Sequence, residues 1–419
     1  MKKFRVVSDL HIDFNYDYPV RLKKDGVFTV VAGDTSGQTA FYVAKSADRR
    51  SLKVSSKHAD LTDVMRDRST VRLVCKENPV QPLCDYDPVT NWTYDWYCDG
   101  KPFDLAAHGI HLDSKPIGGD VIKVTKTTLS QWLKKNISSG IVIAGNHIVY
   151  NRMGMTIEDL KRRYAEELPP DSDITFLDYE TGVMSKEVDG ILFVGTTLYT
   201  NYELPTSDYA DGGMNGRKSA EERVAFNMKV ATPKMSGGGM NDFNLGLTED
   251  GGYAKQPWDT TSFYYLRPEN YLKFFKRSFE ALKRIVEENP NKDIVVVTHH
   301  CPSTKCISKE YVDDIMNASY VSDLDDFIMS HPQIKCWVCG HVHHRDSFKI
   351  GNCLCVMNPL GYCKYGQYKG GSDGLGWSPD VFVNTEDWTV EKIPYSNKKW
   401  DATLSRYQKD MAKWIPFMM

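Results

Sequence analysis

The stretch VCGHVHHR, residues 338–345, decides how this chain is interpreted. The apolar residues 334–338 predict a short buried strand, and Gly340 lets the backbone turn sharply where that strand ends. In such a turn, His341 and His343 can bring their imidazoles to neighbouring points. A His-x-His pair alone is weak evidence for a metal site, so its meaning depends on the other polar clusters of the chain.

Four other polar clusters also follow predicted strands. Short apolar segments predict strands at residues 4–8, 27–32, 140–144 and 293–298. The clusters that follow them are Asp9-Leu10-His11, Gly33-Asp34, Gly145-Asn146-His147 and His299-His300. Sites in open α/β sheets are built at the carboxyl ends of strands, so we expect these clusters to meet.

Together the clusters offer seven ligand residues, which is about the number that two adjacent divalent cations require if one carboxylate bridges them. They are Asp9, His11, Asp34, Asn146, His299, His341 and His343. A mixture of imidazoles and carboxylates suits Mn, Fe or Zn better than Mg or Ca. One such residue could be a satisfied polar group of the core, but seven at successive strand ends predict a metal site.

The composition is that of an ordinary globular protein. The 419 residues are 41% hydrophobic and 26% charged, with a formal net charge of -3, which argues against tight non-specific nucleic-acid binding. No apolar run is long enough to span a bilayer, and the N-terminus enters a strand without a signal-peptide pattern. We therefore expect a cytoplasmic protein with no membrane partner.

The ten cysteines are scattered and predict reduced thiols in a cytoplasmic protein. Cys336 and Cys339 have the spacing of a redox or zinc motif. They lie on the predicted strand before His341, however, so packing is the favoured interpretation. The same holds for Cys353 and Cys355.

The predicted domain organisation is a core of residues 1–35 and 139–400, an inserted subdomain of residues 36–138, and a tail of residues 401–419 that could be helical. The insertion has faint periodicity and many prolines and glycines, with possible helices at 38–48 and 125–136. Five of its residues could supply a zinc site, but their spacing fits no zinc pattern: Cys75, Cys84, Cys98, His108 and His111.

Three helices are predicted in the core. One begins after Thr156, which with Asp159 forms a capping-box pattern, and it presents Lys161, Arg162 and Arg163 as a solvated face. A second spans residues 268–289 with Pro268 at its start. A third, at residues 322–330, has a serine at its N-cap position.

The five clusters, in this order, resemble those of the calcineurin-like metallophosphoesterases. Four further segments resemble the stand-alone bacterial and phage members: residues 195–200, 240–243, 322–324 and 358–362. The resemblance covers residues 4–34 and 140–365 and carries nothing onto the insertion. It implies an α+β four-layer fold in which two mixed β-sheets pack face to face and are flanked by helices.

The resemblance also implies roles for the seven ligands. Asp9, His11 and His343 would hold one metal, and Asn146, His299 and His341 the other, with Asp34 as the bridge. We prefer His299 to His300 because it directly follows the strand. Members of the family often carry an acidic residue after the Asn-His pair, where this chain has Ile148, so a supporting partner is expected to be missing.

The implied chemistry is hydrolysis of a phosphoester, most simply a phosphodiester, by a hydroxide bound to two metals, with manganese favoured. Asp34 and Asn146 would act through the metals, and His147 would protonate the leaving group. A small phosphorylated substrate is expected. A nuclease of the same chemistry is the alternative, and a non-enzymatic metal-containing binding protein is a third interpretation. The insertion is expected to shape substrate access, unless it is a surface domain without a catalytic role.

Overall fold

The computed structural model describes sixteen segments of the chain: residues 1–13, 20–37, 40–47, 52, 54–55, 61, 63–65, 68–79, 92–150, 155–205, 218–234, 238–251, 254–255, 262–263, 265–362 and 377–392. The chain forms two compact units, one of Met1–Gly37 with Leu133–Met419 and one of Gln38–Trp132. The helix predicted in the tail lies outside the described residues. No helix among the described segments is both long and apolar enough to cross a membrane.

The first unit contains a six-stranded mixed sheet. Its spatial order is Asp173–Phe176, Ser139–Ile143, Phe28–Ala32, Lys3–Val7, Val381–Asn384 and Thr389–Lys392. The first four strands are parallel, and the last two add antiparallel pairings. Three of the five predicted clusters therefore follow neighbouring parallel strands.

A second six-stranded sheet belongs to the same unit. Its spatial order is Ser185–Val188, Ile191–Thr196, Asp293–Thr298, Ile334–Cys339, Cys353–Met357 and Asp346–Ile350. The four central strands are parallel, while both edge strands are antiparallel to their neighbours. The two remaining clusters follow its two middle strands.

The two sheets pack face to face over one hydrophobic core. Val30 and Ile141 from the first sheet pack with Val295 and Val338 from the second, and all four are fully buried. Each such side chain contributes roughly 1.5–3 kcal/mol when it is removed from water. The predicted α+β fold with two packed mixed sheets is confirmed.

Helices and short strands complete the unit. The α-helices are Leu129–Asn136, which starts in the other unit, and Ile157–Glu166, Ala220–Ala231, Asp242–Leu245, Pro268–Glu287 and Asp325–Ser330. The 3-10 helices are Asn146–Val149, Tyr179–Thr181, Glu249–Gly251, Thr304–Cys306, Lys309–Tyr311 and Asn317–Ser319. Ala254–Lys255 pairs with Ser262–Phe263 in a small antiparallel ribbon.

The predicted helix starts are right at two places and wrong at a third. Thr156 and Asp159 form the capping box of Ile157–Glu166, and Pro268 opens the longest helix. The third helix begins at Asp325, with no side-chain cap, rather than after Ser322. Ser322 is instead buried, where its hydroxyl accepts a hydrogen bond from Asn201 N.

The prediction of a solvated Lys161-Arg162-Arg163 face is wrong for Lys161. This side chain is fully buried, and its ammonium lies 2.9 and 3.0 Å from the two carboxylate oxygens of Asp178. Arg162 and Arg163 are exposed as expected. A buried lysine needs such a partner, since an unpaired charge in the interior is strongly unfavourable.

The unit Gln38–Trp132 is built on an antiparallel sheet rather than on helices and loops. Its strands are ordered Ala40–Ser46, Val121–Thr128, Thr70–Pro79, Trp92–Cys98 and Lys101–Phe103, and Val54–Ser55 pairs with His111–Leu112. The predicted helix at 38–48 is wrong, because Tyr42 and Ala44 alternate into a core of their own. The predicted helix at 125–136 begins only at Leu129.

Candidate metal centre

The structure brings all seven candidate ligands to one edge of the two sheets. Asp9, His11, Asp34, Asn146 and His299 are buried, and His341 and His343 are partly exposed. The loops that carry them are hydrogen-bonded to one another: Asp9 N donates to Gly33 O, His11 N to Asp34 O, and Gly340 N to His299 O. Parallel strands place these loops side by side, as the order of the clusters predicted.

One group of ligand atoms is formed by Asp9, His11 and His343. His343 Nε2 lies 3.4 Å from Asp9 Oδ1, and 3.1 Å from His11 Nε2. The three donor atoms all lie within 4.8 Å of one another. His341 N donates to both carboxylate oxygens of Asp9, at 3.0 and 3.1 Å, which fixes the orientation of that carboxylate.

Asp34 lies at the middle of the cluster. Its Oδ2 is 3.4 Å from His299 Nε2, 3.7 Å from His147 Nε2 and 4.0 Å from His11 Nε2. A single carboxylate oxygen thus faces imidazoles from both sheets. Its other oxygen accepts a hydrogen bond from His147 N at 3.2 Å.

The remaining candidates are Asn146, His299 and His341. Asn146 Oδ1 is 2.8 Å from His299 Nε2, and the rings of His299 and His341 have centroids 5.0 Å apart. His341 Nε2 is buried and has no hydrogen-bond partner among the described residues. A buried imidazole nitrogen without a partner is costly unless an additional ligand binds it.

The two adjacent histidines have different surroundings. His299 faces Asp34 and Asn146, and its other nitrogen lies 3.0 Å from Ala32 O. His300 packs its ring against Tyr199 and Tyr271, with Nδ1 3.4 Å from Thr197 O. His300 also packs against His341, with ring centroids 4.1 Å apart, but only His299 faces the Asp34 carboxylate and the Asn146 amide, and it stays the predicted ligand.

The backbone at the cluster is unusual. Five of the seven candidates have positive φ angles, in a region that costs non-glycine residues of order 1–3 kcal/mol each. They are Asp9 at 50°, His11 at 42°, Asp34 at 45°, His341 at 70° and His343 at 50°. Strain concentrated on chemically competent side chains is typical of a functional site.

Two glycines permit the close approach of these loops. A Cβ at Gly145 would lie 2.0 Å from Asp34 Oδ1, and one at Gly340 would lie 2.3 Å from Asp9 Oδ2. Any side chain at either position would displace a carboxylate of the cluster. The glycines that precede the polar residues are therefore part of the site.

An acidic partner of Asn146 comes from a distant part of the chain. Asn146 Nδ2 donates to Asp242 Oδ1 at 2.8 Å, and Tyr271 donates to Asp242 Oδ2 at 2.9 Å. The prediction that Ile148 leaves this position without an acidic partner is wrong, because the buried Asp242 supplies one. The bond also turns the Asn146 amide so that its oxygen faces His299.

His147 lies between aromatic side chains beside the cluster. Tyr150 stacks on its ring at a centroid distance of 4.3 Å, and the Tyr362 hydroxyl lies 2.6 Å from His147 Nε2. Tyr362 also stacks on His11 at 4.3 Å. Sequence reasoning assigned no role to Tyr150, Tyr362 or Asp242, although Asp242 and Tyr362 lie in segments that carried the family resemblance.

Burial and neighbouring charges shift the pKa values of the histidines and of Asp34 in different directions. Burial lowers the pKa of His11 and His341 well below the usual range, and it also lowers the pKa of His147. Burial alone would lower the pKa of His299, but the Asp34 carboxylate raises it to about 9. Although burial opposes ionisation of Asp34, the imidazoles of His147 and His299 hold its pKa well below the usual range. The neighbouring imidazoles therefore favour the ionised form of Asp34.

The cluster opens into a cleft of about 570 Å³. Its lining includes His147, Asp242, His341, His343 and Tyr362 from the cluster and its surroundings. Farther out it includes Ile307, Ser308, Glu310, Asp314 and Tyr320. Among the described residues that line it, none is lysine or arginine. The described part of the lining therefore offers no lysine or arginine to an anionic ligand.

No protein-family model matches this sequence, and no curated protein sequence matches it. Among solved structures, the chain is similar to a phosphopantetheinyl hydrolase from Mycobacterium tuberculosis, with 12% identity, a TM-score of 0.44, and coverage of 88% of this chain and 93% of that one. It is also similar to a protein assigned as a 5′-nucleotidase from Staphylococcus aureus, with 12% identity, a TM-score of 0.28, and coverage of 66% and 42%. Both similarities are too weak to carry an argument about function.

Proposed function

We propose that the protein is a metal-dependent phosphoesterase that hydrolyses a phosphodiester. The observation that carries the proposal is the position of Asp34, whose Oδ2 faces imidazoles of both sheets at 3.4–4.0 Å. A carboxylate in that position fits a bridge between two cations. Hydrolases that act on phosphoesters commonly hold two metals in this way.

The residues present fit such a pair of metals. Asp9, His11 and His343 would hold one ion, and Asn146, His299 and His341 the other, with Asp34 between them. The buried and unpartnered Nε2 of His341 supports this assignment, as do the positive φ angles at five of the candidates. Nitrogen and oxygen donors in this proportion suit Mn, Fe or Zn, and we favour Mn. Two bound divalent cations would activate water and neutralise charge on the phosphoryl oxygens.

His147 is the proposed general acid. It lines the cleft, and its Nε2 lies 2.6 Å from the Tyr362 hydroxyl. The acid role requires the protonated imidazole; burial lowers the pKa of His147, whereas the carboxylates of Asp34 and Asp242 favour its protonated form. Stacking on Tyr150 restricts the orientation of the ring. Asn146, which precedes His147, is held in a single orientation by its hydrogen bond to Asp242.

The cleft favours a diester over a monoester or a long polyanion. A monoester carries two negative charges near neutral pH, and a nucleic acid requires several phosphate contacts. The described lining contains Glu310 and Asp314 but no lysine or arginine. A small diester with one negative charge is the substrate class that this lining opposes least.

The free state of the eight described cysteines supports a reducing, cytoplasmic location.

The test is turnover by the manganese-loaded protein on a matched panel. Bis(nitrophenyl) phosphate, nitrophenyl phosphate, cyclic nucleotides, dinucleotides and single-stranded and duplex DNA should be compared at equal enzyme concentration. We expect the small diesters to have the highest kcat/KM. Preference for DNA would favour the nuclease, and no turnover of any ester by a metal-loaded, folded protein would contradict the proposal.

A further inference from the structure

A second cluster of metal-ligating side chains lies close in sequence to the histidines of the second sheet. It consists of four fully buried cysteines, Cys301, Cys306, Cys339 and Cys355, which we call the thiol cluster. They come from three separate segments: the loop after the strand Asp293–Thr298, which carries the first two, and the neighbouring strands Ile334–Cys339 and Cys353–Met357. All four are free thiols.

The pleat of the sheet explains why these cysteines meet. Cys336 and Val338 face the core between the two sheets. Successive side chains of a strand alternate between its faces, so Cys339 points to the opposite face from Cys336. The two cysteines with the spacing of a redox or zinc motif are therefore not a pair. Cys339 meets cysteines that are distant in sequence.

The sulfur atoms are close enough to share one ion. The Sγ atoms of Cys301, Cys306 and Cys339 all lie within 4.8 Å of one another, with Cys306 and Cys339 4.0 Å apart. Cys355 lies on the neighbouring strand Cys353–Met357, between Leu354 and Val356, which face the core, so its side chain is on the same face of the sheet as Cys339. Four sulfurs at about 2.3 Å from a tetrahedral zinc would be about 3.8 Å apart. A disulfide requires about 2.05 Å, so Cys306 and Cys339 are not bonded to each other, and their 4.0 Å separation is compatible with a shared ion.

We propose that the thiol cluster binds a structural zinc ion, with Cys301, Cys306 and Cys339 as ligands and Cys355 in the fourth position. On binding, each thiol loses its proton to solvent and donates a sulfur lone pair to the ion. The S–H of Cys301, which donates to Gly340 O at 3.1 Å, would give up that hydrogen bond. Thiolates prefer zinc, whereas the donors of the candidate metal centre are nitrogen and oxygen.

The location indicates what this ion would do. Cys301 follows His300 directly, and Cys339 is separated from His341 by Gly340 alone. Cys306 ends the short helix Thr304–Cys306, beyond which Ile307 and Ser308 line the cleft. One zinc would therefore tie together the loops that carry the histidines of the second sheet. The proposal does not depend on the proposed function.

Cobalt substitution tests the site because only thiolate ligation gives intense charge-transfer absorption in the near ultraviolet. The full chain is loaded with Co²⁺ as wild type and as Cys306→Ala, Cys336→Ala and Asp34→Ala. Cys336→Ala is the matched control, since Cys336 is equally buried but faces the other side of the sheet. We expect the absorption band in wild type, Cys336→Ala and Asp34→Ala, and no band in Cys306→Ala. When the same proteins are loaded with zinc instead, Cys306→Ala should bind about one zinc ion per chain fewer than wild type.

If Cys306→Ala fails to fold, the near-ultraviolet absorption of cobalt-loaded wild type decides whether thiolates bind the metal. Zinc–sulfur distances of about 2.3 Å by X-ray absorption on the zinc-loaded Asp34→Ala protein would confirm the ligand type. Absence of the near-ultraviolet band from cobalt-loaded wild type would overturn the proposal. An undiminished band in folded Cys306→Ala would overturn it equally.

Discussion

The two compact units of this chain differ in where their strands place polar residues. In the unit of residues 1–37 and 133–419, parallel strands carry their polar clusters to one edge, where seven candidate ligands meet. In Gln38–Trp132, an antiparallel sheet sends successive strands in opposite directions, so its loops are divided between two edges. Its Cys75 and Cys98 pack in a hydrophobic core, and no metal-ligating group among the described residues includes them.

The two units also differ in why some of their non-glycine residues have positive φ angles. In the unit Gln38–Trp132, Asp99 has a φ of 51° and is followed by Gly100 at 79°. These two residues join Trp92–Cys98 to Lys101–Phe103, and such a turn requires left-handed backbone at both positions. No hairpin explains the angles at Asp9, Asp34 or His341. The left-handed backbone at Asp99 therefore follows from a hairpin, whereas that at the candidate ligands does not.

The largest effect is expected from Asp34→Ala. Removing the central carboxylate should release both manganese ions and reduce turnover by at least about 100-fold, since even residues that only support ligands are worth about 10- to 100-fold. Metal analysis of the gel-filtered variant is the measurement. Asp314→Ala, which changes an acidic residue of the cleft lining outside the cluster, should keep its manganese. Undiminished manganese in Asp34→Ala would remove Asp34 from the site.

His147→Ala should keep its metals and lose turnover by about 100- to 10,000-fold. The loss should be greatest for alkyl esters, because a nitrophenolate leaves without needing a proton. The ratio of kcat values for the two ester types is the quantity to measure. Equal losses on both would count against the general-acid role, and a loss of bound metal would make His147 a ligand.

Asp242→Asn should have a smaller effect, about 10- to 100-fold on metal affinity or turnover. An asparagine can present an NH₂ group to Asn146, so the Asn146 amide would no longer be held in one orientation. Manganese titration followed by activity assays measures this. Asn241→Ala changes an exposed neighbour and serves as the control. If Asp242→Asn behaves like that control, the hydrogen bond to Asn146 is not needed by the site.

Replacing residues 38–128 with a short Gly/Ser link should have the smallest effect on the chemistry. All candidate ligands and His147 lie outside that segment, so manganese content and hydrolysis of a small chromogenic diester should persist. Selectivity among bulkier substrates should change if the insertion shapes access. A cooperative melt establishes folding first. An unchanged ranking of substrates would reject the access role, and loss of small-ester activity would mean that the insertion contributes to the chemistry.

The sequence predicted which side chains meet at the sheet edge wherever the determining pattern is local. Each polar cluster directly follows an apolar strand, and Gly145 and Gly340 stand where a side chain would strike a carboxylate. Parallel strands then bring such clusters together without further information. The helix predicted over 38–48 is wrong because the faint periodicity of this segment did not distinguish helix from strand, and pairing with Val121–Thr128 makes it a strand.

Contacts between distant segments could not be predicted. Asp242 reaches Asn146 across 96 positions of sequence, and no local pattern connects them. The sequence predicted Lys161 on a solvated basic face, but the buried carboxylate of Asp178 lies 2.9 Å from its ammonium. Cys339 was grouped with Cys336 by spacing, whereas the pleat separates them and tertiary packing pairs Cys339 with Cys306. Each of these depends on how the chain folds back on itself.

The most direct test of the account is anomalous diffraction from crystals of the manganese-loaded protein. We predict two manganese peaks that share Asp34, one bound by Asp9, His11 and His343 and the other by Asn146, His299 and His341. His300 should bind neither. A single peak, or a pair that does not share the Asp34 carboxylate, would contradict the dinuclear centre on which the proposed function rests.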